Sequence, residues 1–231
     1  MKFGTKAIHA GLEPDTATGA IMTPIYQTST YVQAKPGVHK GYEYSRTGNP
    51  TRNALEKNLA ALENGKYGLC FATGMAAIDG VLKLLSPGDE IISTNDLYGG
   101  TYRLFTRIYE KFGLKFHFTG MGDLSQIEKL ITDKTRAVMP VHLYGHPSDM
   151  DEIGELAQKH SLDVVEDACQ SLGSTFKKKQ TGTFGAMGCF SMYASKVLTA
   201  GEGGAVATDS DDLADRLKMI RNHGMVEGYD T

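Results

Sequence analysis

The chain has 231 residues, 41% of them hydrophobic and 22% charged, with a formal net charge of −3. This composition is typical of globular proteins and excludes a disordered or fibrous chain. Because a net charge this small gives no electrostatic reason to bind nucleic acid or an anionic membrane surface, we expect neither as a partner.

The cysteines and the N-terminal residues indicate the compartment. Cys70, Cys169 and Cys189 are widely spaced among apolar or small residues, which favours buried free thiols in a reducing environment. Residues 1–6 lack the apolar core of a signal peptide, and no stretch is apolar for long enough to span a bilayer. We therefore expect a cytoplasmic protein, and we predict no metal site.

The N-terminal fifth of the chain differs from the rest. Residues 1–50 show little periodicity and many turn-forming residues, which predicts an extended arm with short strands. Asn49 and Pro50 then predict the start of a helix, with the asparagine as N-cap and the proline in the first position. The predicted apolar stripe of this helix is Leu55, Leu59 and Leu62.

Beyond this helix, strand-like and helix-like segments alternate. Apolar runs bounded by turn residues predict strands, and amphipathic stretches behind a capping residue predict helices. The predicted strands are residues 67–72, 90–93, 115–119, 136–141, 163–166, 189–193 and 203–207. The predicted helices are residues 75–85, 101–112, 123–131 with Asp123 as cap, 148–160 with Ser148 as cap, and 211–221.

This alternation predicts an α/β fold of three layers, in which helices cover both faces of a mainly parallel sheet. Right-handed crossovers would bring the carboxyl ends of the strands to one edge, where we expect the functional site. The sequence contains no internal repeat and no low-complexity linker. We therefore predict one large domain, residues 51–231, after the arm of residues 1–50.

Two charged residues stand directly after predicted strands. Asp167 ends the run Val164-Val165-Glu166-Asp167, and Lys196 ends a Ser-x-x-x-Ser-Lys turn after the strand at 189–193. A carboxylate that can neutralise a ring nitrogen and an amine that can form an imine are what pyridoxal phosphate (PLP) chemistry requires of a protein. The alternatives are an aspartate that only ends a strand and a lysine that is only solvated.

Other segments offer partners for a phosphate and for a flat ring. Gly74 lies between a predicted strand and helix, where free backbone N–H groups can face an anion. Tyr98, beside two glycines, can stack on a heterocycle or simply pack over its loop. Arg46 can hold a phosphate bidentately with a hydroxyl from Tyr44, and Ser191 and Ser195, which flank the lysine, can donate hydroxyls to the phosphate.

The N-terminal part of the chain also resembles a known family. The segments that carry the resemblance are Thr5-Lys6-Ala7-Ile8-His9-Ala10-Gly11, Pro24-Ile25-Tyr26-Gln27-Thr28-Ser29-Thr30, Tyr44-Ser45-Arg46-Thr47-Gly48-Asn49-Pro50-Thr51, Thr73-Gly74-Met75-Ala76-Ala77 and Asp96-Leu97-Tyr98-Gly99-Gly100-Thr101-Tyr102. Through them, residues 1–134 closely resemble the PLP enzymes of cysteine and methionine metabolism, in particular cystathionine gamma-synthase and gamma-lyase.

That resemblance implies roles for several residues. Tyr98 would stack on the cofactor and assist proton transfer. Gly74 and Met75 would offer backbone amides to the phosphate. Tyr44 and Arg46 would reach the phosphate in a neighbouring subunit, which implies a homodimer or homotetramer.

From about residue 135 the resemblance changes. The segments are Pro140-Val141-His142-Leu143-Tyr144-Gly145-His146-Pro147, Val165-Glu166-Asp167-Ala168-Cys169-Gln170, residues 191–196, Gly201-Glu202-Gly203-Gly204-Ala205 and Arg221-Asn222-His223-Gly224. They resemble the nucleotide-sugar aminotransferases of the DegT type. This resemblance implies that Asp167 pairs with the pyridine nitrogen, Gln170 contacts the region of the ring hydroxyl, Ser191 binds phosphate and Lys196 forms the Schiff base.

Both families share the large-domain fold of the aspartate-aminotransferase type. The change of resemblance near residue 134 predicts a chimera of the two families. Both families continue into a smaller C-terminal domain, so we expect that domain, with the arginine that holds the substrate carboxylate in the first family, to be missing here.

The resemblances imply a PLP-dependent protein that acts on a small-molecule amino substrate. The first reading is elimination or replacement of the transsulfuration type, because the first match is longer and denser. The alternatives are an aminotransferase of the nucleotide-sugar type and a PLP-binding or inert fragment without turnover.

Overall fold

A computed structural model describes residues 1–225, so residues 226–231, the end of the predicted large domain, lie outside the described part. The helices are α1 (Phe3–His9), α2 (Pro50–Leu62), α3 (Gly74–Leu82), α4 (Gly99–Arg103), α5 (Leu124–Leu130), α6 (Met150–Lys159) and α7 (Asp211–Arg221). The strands are β1 (Tyr67–Phe71), β2 (Glu90–Thr94), β3 (Lys115–Thr119), β4 (Thr135–Met139), β5 (Asp163–Asp167), β6 (Thr175–Phe176), β7 (Lys179–Gln180), β8 (Met187–Ser191) and β9 (Gly204–Thr208).

Seven strands form one sheet in the order β1-β9-β8-β5-β4-β2-β3. Strand β9 pairs antiparallel with both of its neighbours, and the pairs from β8 to β3 are all parallel. The sheet is therefore mainly parallel, as predicted, with one reversed strand between β1 and β8. Strands β6 and β7 form a separate two-stranded hairpin.

Helices cover both faces of this sheet, which confirms the three-layer α/β/α architecture. Successive strand residues point to opposite faces. Ile91 packs on one face with the residues of α3 and α7, and Ile92 packs on the other with those of α5 and α6. Helix α2 covers the second face beside β1 and β9, where Leu59 is buried against Ala205 and Ala207.

All seven sheet strands begin and end within two residues of the predicted bounds. Local signals also placed the start of α2, since the side chain of Asn49 accepts hydrogen bonds from the backbone N–H groups of Thr51 at 2.9 Å and Arg52 at 3.4 Å. The predicted stripe of α2 is wrong at Leu55, which is 39% exposed.

The prediction for the N-terminal arm is partly wrong. The arm contains the helix α1, and within residues 1–49 the only β pairings are the isolated bridges Thr30–Tyr44 and Lys35–Val38. The arm is tied to α2 by side-chain contacts, because Asn58 donates from Nδ2 to the carbonyl oxygens of Lys6 at 3.1 Å and Ala10 at 2.7 Å.

Three predicted helices differ in detail. The helix predicted over 75–85, α3, ends at Leu82. The helix predicted over 101–112 begins at Gly99 and becomes a π-helical turn at Leu104–Ile108 and a 3₁₀ turn at Tyr109–Phe112. The cap of α6 is Asp149, whose carboxylate accepts from the N–H of Glu152 at 3.2 Å. Among the described residues, no helix has the length and apolarity needed to cross a membrane.

Candidate active site

A cavity of about 460 Å³ lies at the carboxyl ends of β4, β5 and β8, beside the N-terminus of α3. This is the edge at which a parallel sheet places its ligands. It brings together Gly74, Met75, Tyr98, Asp167, Gln170, Ser191 and Lys196. Segments that are far apart in the sequence thus meet in one place, as expected of these seven residues.

Asp167 lies at the floor of this cavity, on the strand face that carries Val165 and packs against α3. Its Oδ1 accepts a hydrogen bond from the N–H of Cys169 at 3.1 Å. Burial raises the pKa of Asp167, while hydrogen bonds from Cys169 and the positive charge of Lys196 oppose that rise. A cationic group in the cavity, such as a protonated ring nitrogen, would stabilise the ionised form of a carboxylate buried in this way.

Lys196 reaches the same cavity from the loop after β8. The loop is closed at its base, since Ala200 donates its N–H to the carbonyl oxygen of Met192 and Met192 donates its own to Gly203. Within the loop, the N–H of Lys196 donates to the carbonyl oxygen of Tyr193 at 2.9 Å. Lys196 is half-buried and lines the cavity.

The N-terminus of α3 forms the anion-binding end of the cavity. Thr73 caps the helix by accepting from the N–H of Ala76 at 3.0 Å. The N–H groups of Gly74 and Met75 have no acceptor among the described residues. A Cβ on Gly74 would lie 2.7 Å from Cβ of Ser191. Only glycine leaves room for this close approach, and the two free N–H groups suit a phosphate.

The remaining predicted residues flank the space for a ring. Tyr98 is 62% exposed at the start of α4, and its ring lies against Gly100, where any Cβ would overlap it. Gln170 accepts the N–H of Tyr144 on Oε1 at 2.8 Å. That bond leaves the amide N–H₂ of Gln170 as the group available to the cavity. Tyr144 itself holds a positive φ of 53°.

Tyr44 and Arg46 do not join the other seven residues in the cavity of this chain. The guanidinium carbon of Arg46 lies 4.9 Å from the centre of the Tyr44 ring. Arg46 borders a separate groove beside Arg52, Glu56 and Arg221. Their predicted role in a neighbouring subunit stays a prediction.

The cavity also contains residues that sequence reasoning did not assign to the site, namely Thr73, Ile78, Thr101, Val141, Cys169, Tyr193 and Glu202. Glu202 belongs to the Gly201-Glu202-Gly203-Gly204-Ala205 segment that carries the second resemblance, and its place directly after the candidate lysine was a signal for the site. The described residues contain no group of three or more histidine, cysteine or acidic side chains that could hold a metal ion.

Comparison with known proteins gives the family. Residues 32–231 match the model of the DegT/DnrJ/EryC1/StrS aminotransferase family. The chain is 39% identical over 227 residues to a probable cystathionine gamma-synthase of Herpetosiphon aurantiacus, covering 95% of this chain and 70% of that protein. It is 38% identical over 232 residues to the cystathionine gamma-lyase of Bacillus subtilis, covering 96% of this chain and 59% of that protein.

Solved structures share the fold. The crystal structure of metB from Corynebacterium glutamicum aligns with a TM-score of 0.85 at 30% identity, over 98% of this chain and 60% of that one. The crystal structure of cystathionine gamma-lyase from Lactobacillus plantarum complexed with L-serine aligns with a TM-score of 0.80 at 36% identity, over 96% of this chain and 59% of that one.

The bounds of these matches bear on the predicted chimera. The family model begins at residue 32, and the two curated relatives align over 95% and 96% of the chain, so neither match breaks near residue 134. The chain spans 59% to 70% of the length of those two relatives. It belongs to the DegT/DnrJ/EryC1/StrS aminotransferase family and is a relative of the cystathionine gamma-synthases and gamma-lyases, two groups that depend on PLP.

Proposed function

We propose that the chain binds PLP in the central cavity through Lys196 and acts on amino-acid substrates by elimination or replacement of the transsulfuration type. The observation that supports this most is the convergence of an acid, a lysine, an aromatic ring and two free backbone N–H groups in one cavity of about 460 Å³. Both family matches point to the same cofactor.

When bound, PLP supplies an aldehyde carbon that bonds to amines and a ring that accepts electrons. Lys196 would hold the cofactor through its Nζ. When not bonded to the cofactor, the same Nζ would serve as the base that takes the proton from the substrate carbon and returns it. Asp167 would keep a proton on the ring nitrogen, because that cation would stabilise its buried carboxylate.

The other residues bind and orient. The N–H groups of Gly74 and Met75, with the hydroxyl of Ser191, hold the phosphate at the start of α3. Tyr98, which is exposed at the cavity, would stack on the ring. Gln170, whose amide is oriented by the N–H of Tyr144, would donate to the ring hydroxyl. The solved relative that carries L-serine supports an amino acid as the substrate class.

The nucleotide-sugar aminotransferase alternative has its own support. The family model that matches residues 32–231 is an aminotransferase family. Asp167, Gln170, Ser191 and Lys196 all lie in the part of the sequence with that resemblance. The third possibility is cofactor binding without turnover.

The cofactor proposal is tested by adding PLP to the purified chain, recording its absorbance, reducing with borohydride and mapping the labelled peptide. We expect the label on Lys196 and its loss in Lys196→Ala. Lys111→Ala, which changes an exposed lysine that does not line the cavity, is the matched control. Label scattered over surface lysines, or unchanged in Lys196→Ala, would overturn the proposal.

The reaction class is tested on the loaded protein. Release of 2-oxobutanoate from cystathionine or a homoserine ester would support transsulfuration. Stoichiometric release of 2-oxoglutarate from glutamate, without 2-oxobutanoate, would instead support the aminotransferase. A protein that is labelled on Lys196 and releases neither product would be a cofactor-binding chain.

We also propose that residues 1–50 act as an arm that carries Tyr44 and Arg46 to the cavity of a neighbouring subunit in a homodimer or homotetramer. The exposure of Ile21 at 71%, Ile25 at 84% and Val32 at 92% supports an arm that packs on another copy. Sedimentation of the PLP-loaded chain tests this, and a monomer that binds PLP tightly would contradict it.

The chimera is the last part of the proposal, and its support is the change of motifs near residue 134. Matching residues 1–134 and 135–231 separately against both families tests it. A second half that resembles the cystathionine relatives as closely as the first half does would overturn it.

A further inference from the structure

Glu166, the neighbour of Asp167 on β5, is fully buried, and no role in the cofactor site has been assigned to it above. Because adjacent strand residues point to opposite faces, its side chain lies on the side of the sheet away from the cavity. There its two oxygens accept hydrogen bonds from the N–H groups of Gly182 at 2.6 Å, Phe184 at 2.6 Å and Gly185 at 2.9 Å.

A fourth donor completes this set. Nε2 of His142, also fully buried, lies 2.9 Å from Oε2 of Glu166. Nδ1 of the same ring accepts the N–H of Ser148 at 3.1 Å, so the hydrogen of the ring is assigned to Nε2, which donates to Glu166. An ionised carboxylate is an acceptor only, and four donors from two chain segments compensate its burial.

The same segments hold Asp167 in place. The backbone N–H of His142 donates to the carbonyl oxygen of Asp167 at 3.1 Å, and the N–H of Asp167 donates to Pro140 at 2.9 Å. On the other side, Ala186 donates its N–H to the carbonyl oxygen of Val164 at 2.9 Å. Glu166 therefore hydrogen-bonds to both segments that flank the end of β5, the segment after β4 and the segment before β8.

We infer that Glu166, acting with His142, is a positioning residue for Asp167. It fixes the depth at which the Asp167 carboxylate stands in the cavity, and so its contact with the ring nitrogen of PLP. This inference rests on the proposed function. It predicts that the protonation of bound cofactor, and not only the stability of the fold, depends on a side chain on the opposite face of the sheet.

Glu166→Gln is the first test, because it keeps the shape but turns one acceptor into a donor that faces other donors. We expect the PLP dissociation constant to rise at least about tenfold. We also expect a shift in the pH at which the absorbance of the Lys196-bound cofactor changes. His142→Leu should act in the same direction, and His142→Gln, whose side-chain amide can still donate to Glu166, should restore part of the loss.

Thr181→Val is the matched control. It removes a buried hydroxyl from the same region, where Thr181 bonds Ser171 at 3.0 Å, without touching Glu166 or the cavity. We expect it to lower the unfolding midpoint and leave both PLP readouts unchanged. If Glu166→Gln does not fold, the His142 pair decides.

The inference is overturned if Glu166→Gln, or His142→Leu in its place, binds PLP with the wild-type affinity and pH profile. It is also overturned if Thr181→Val shifts those readouts as much. Failure of the wild-type chain to label on Lys196 would overturn the proposed function itself, and that result is obtained before any variant is made.

Discussion

Glu63 provides a prediction in which pH acts on a single buried carboxyl group. It caps the C-terminal end of α2 and is only 1% exposed. Its Oε1 has no hydrogen-bond partner among the described residues, and its Oε2 lies 3.5 Å from Nε2 of Gln180. Burial raises the pKa of Glu63 from 4.5 to about 7, opposed by the backbone N–H of Gly173 and the charge of Lys6.

The size of the effect follows from that difference. A pKa shift from 4.5 to about 7 means that folding is more favourable by about 3 kcal/mol with Glu63 protonated than with Glu63 ionised. The folded chain holds this proton to higher pH than the unfolded chain does. The stability that the protonated Glu63 contributes is therefore fully present below the unfolded pKa and is lost as pH rises through about 7. The free energy of unfolding falls between pH 4.5 and about 7.

Glu63→Gln removes the titration. We expect the free energy of unfolding of the variant, relative to that of wild type, to rise by up to about 3 kcal/mol from about pH 5 to about pH 9. Burial of the added N–H₂ group lowers the stability of the variant by the same amount at every pH. The sequence contains no tryptophan, so urea unfolding is followed by circular dichroism. Glu155→Gln, an exposed carboxylate on α6, is the control. A difference between wild type and Glu63→Gln that stays constant with pH would refute the reasoning.

Three further predictions concern the cofactor end, the arm and α2. Gly74→Ala places a Cβ 2.7 Å from that of Ser191, so PLP affinity in an absorbance titration should fall at least about tenfold, or about 1.4 kcal/mol; unchanged affinity would contradict the phosphate site. Arg46→Ala should weaken PLP binding only at concentrations where sedimentation shows an oligomer, and equal weakening in the monomer would exclude a role across subunits. Asn49→Ala removes the cap of α2 and should lower the free energy of unfolding by about 1 kcal/mol, whereas an unchanged urea midpoint would show that the cap contributes nothing.

The positions of the strands and of most helices were predictable from local patterns. Asn49 and Asp123 cap their helices because their side chains bond backbone N–H groups two or three residues ahead, which is a property of short segments. The hairpin of β6 and β7 was missed, because Lys177 and Lys178 have positive φ angles of 48° and 72° where glycine or asparagine would have been the signal.

The site was predictable as a set of residues but not as an arrangement. Asp167 and Lys196 follow strands, and strands of a parallel sheet end at one edge, so the two residues meet in the cavity. Tyr44 and Arg46 lie outside that cavity, since a local motif does not determine which distant residues its side chains will contact in the fold. Glu166 stands in an apolar run of the sequence, and only the packing of residues 182–185 and of His142 around it gives its carboxylate its donors.

The sequence by itself determined the α/β class, the bounds of the sheet strands to within two residues, and three residues that line the cavity, Gly74, Asp167 and Lys196. These depend on periodicity and on the steric and chemical properties of single residues. The tertiary structure alone decided that β9 runs antiparallel between β1 and β8, and that Glu166 and His142 are buried together. Strand order and direction come from pairing between distant segments. A buried charge is compensated by donors from elsewhere in the chain. Neither feature can therefore be predicted from the pattern of a short stretch of sequence.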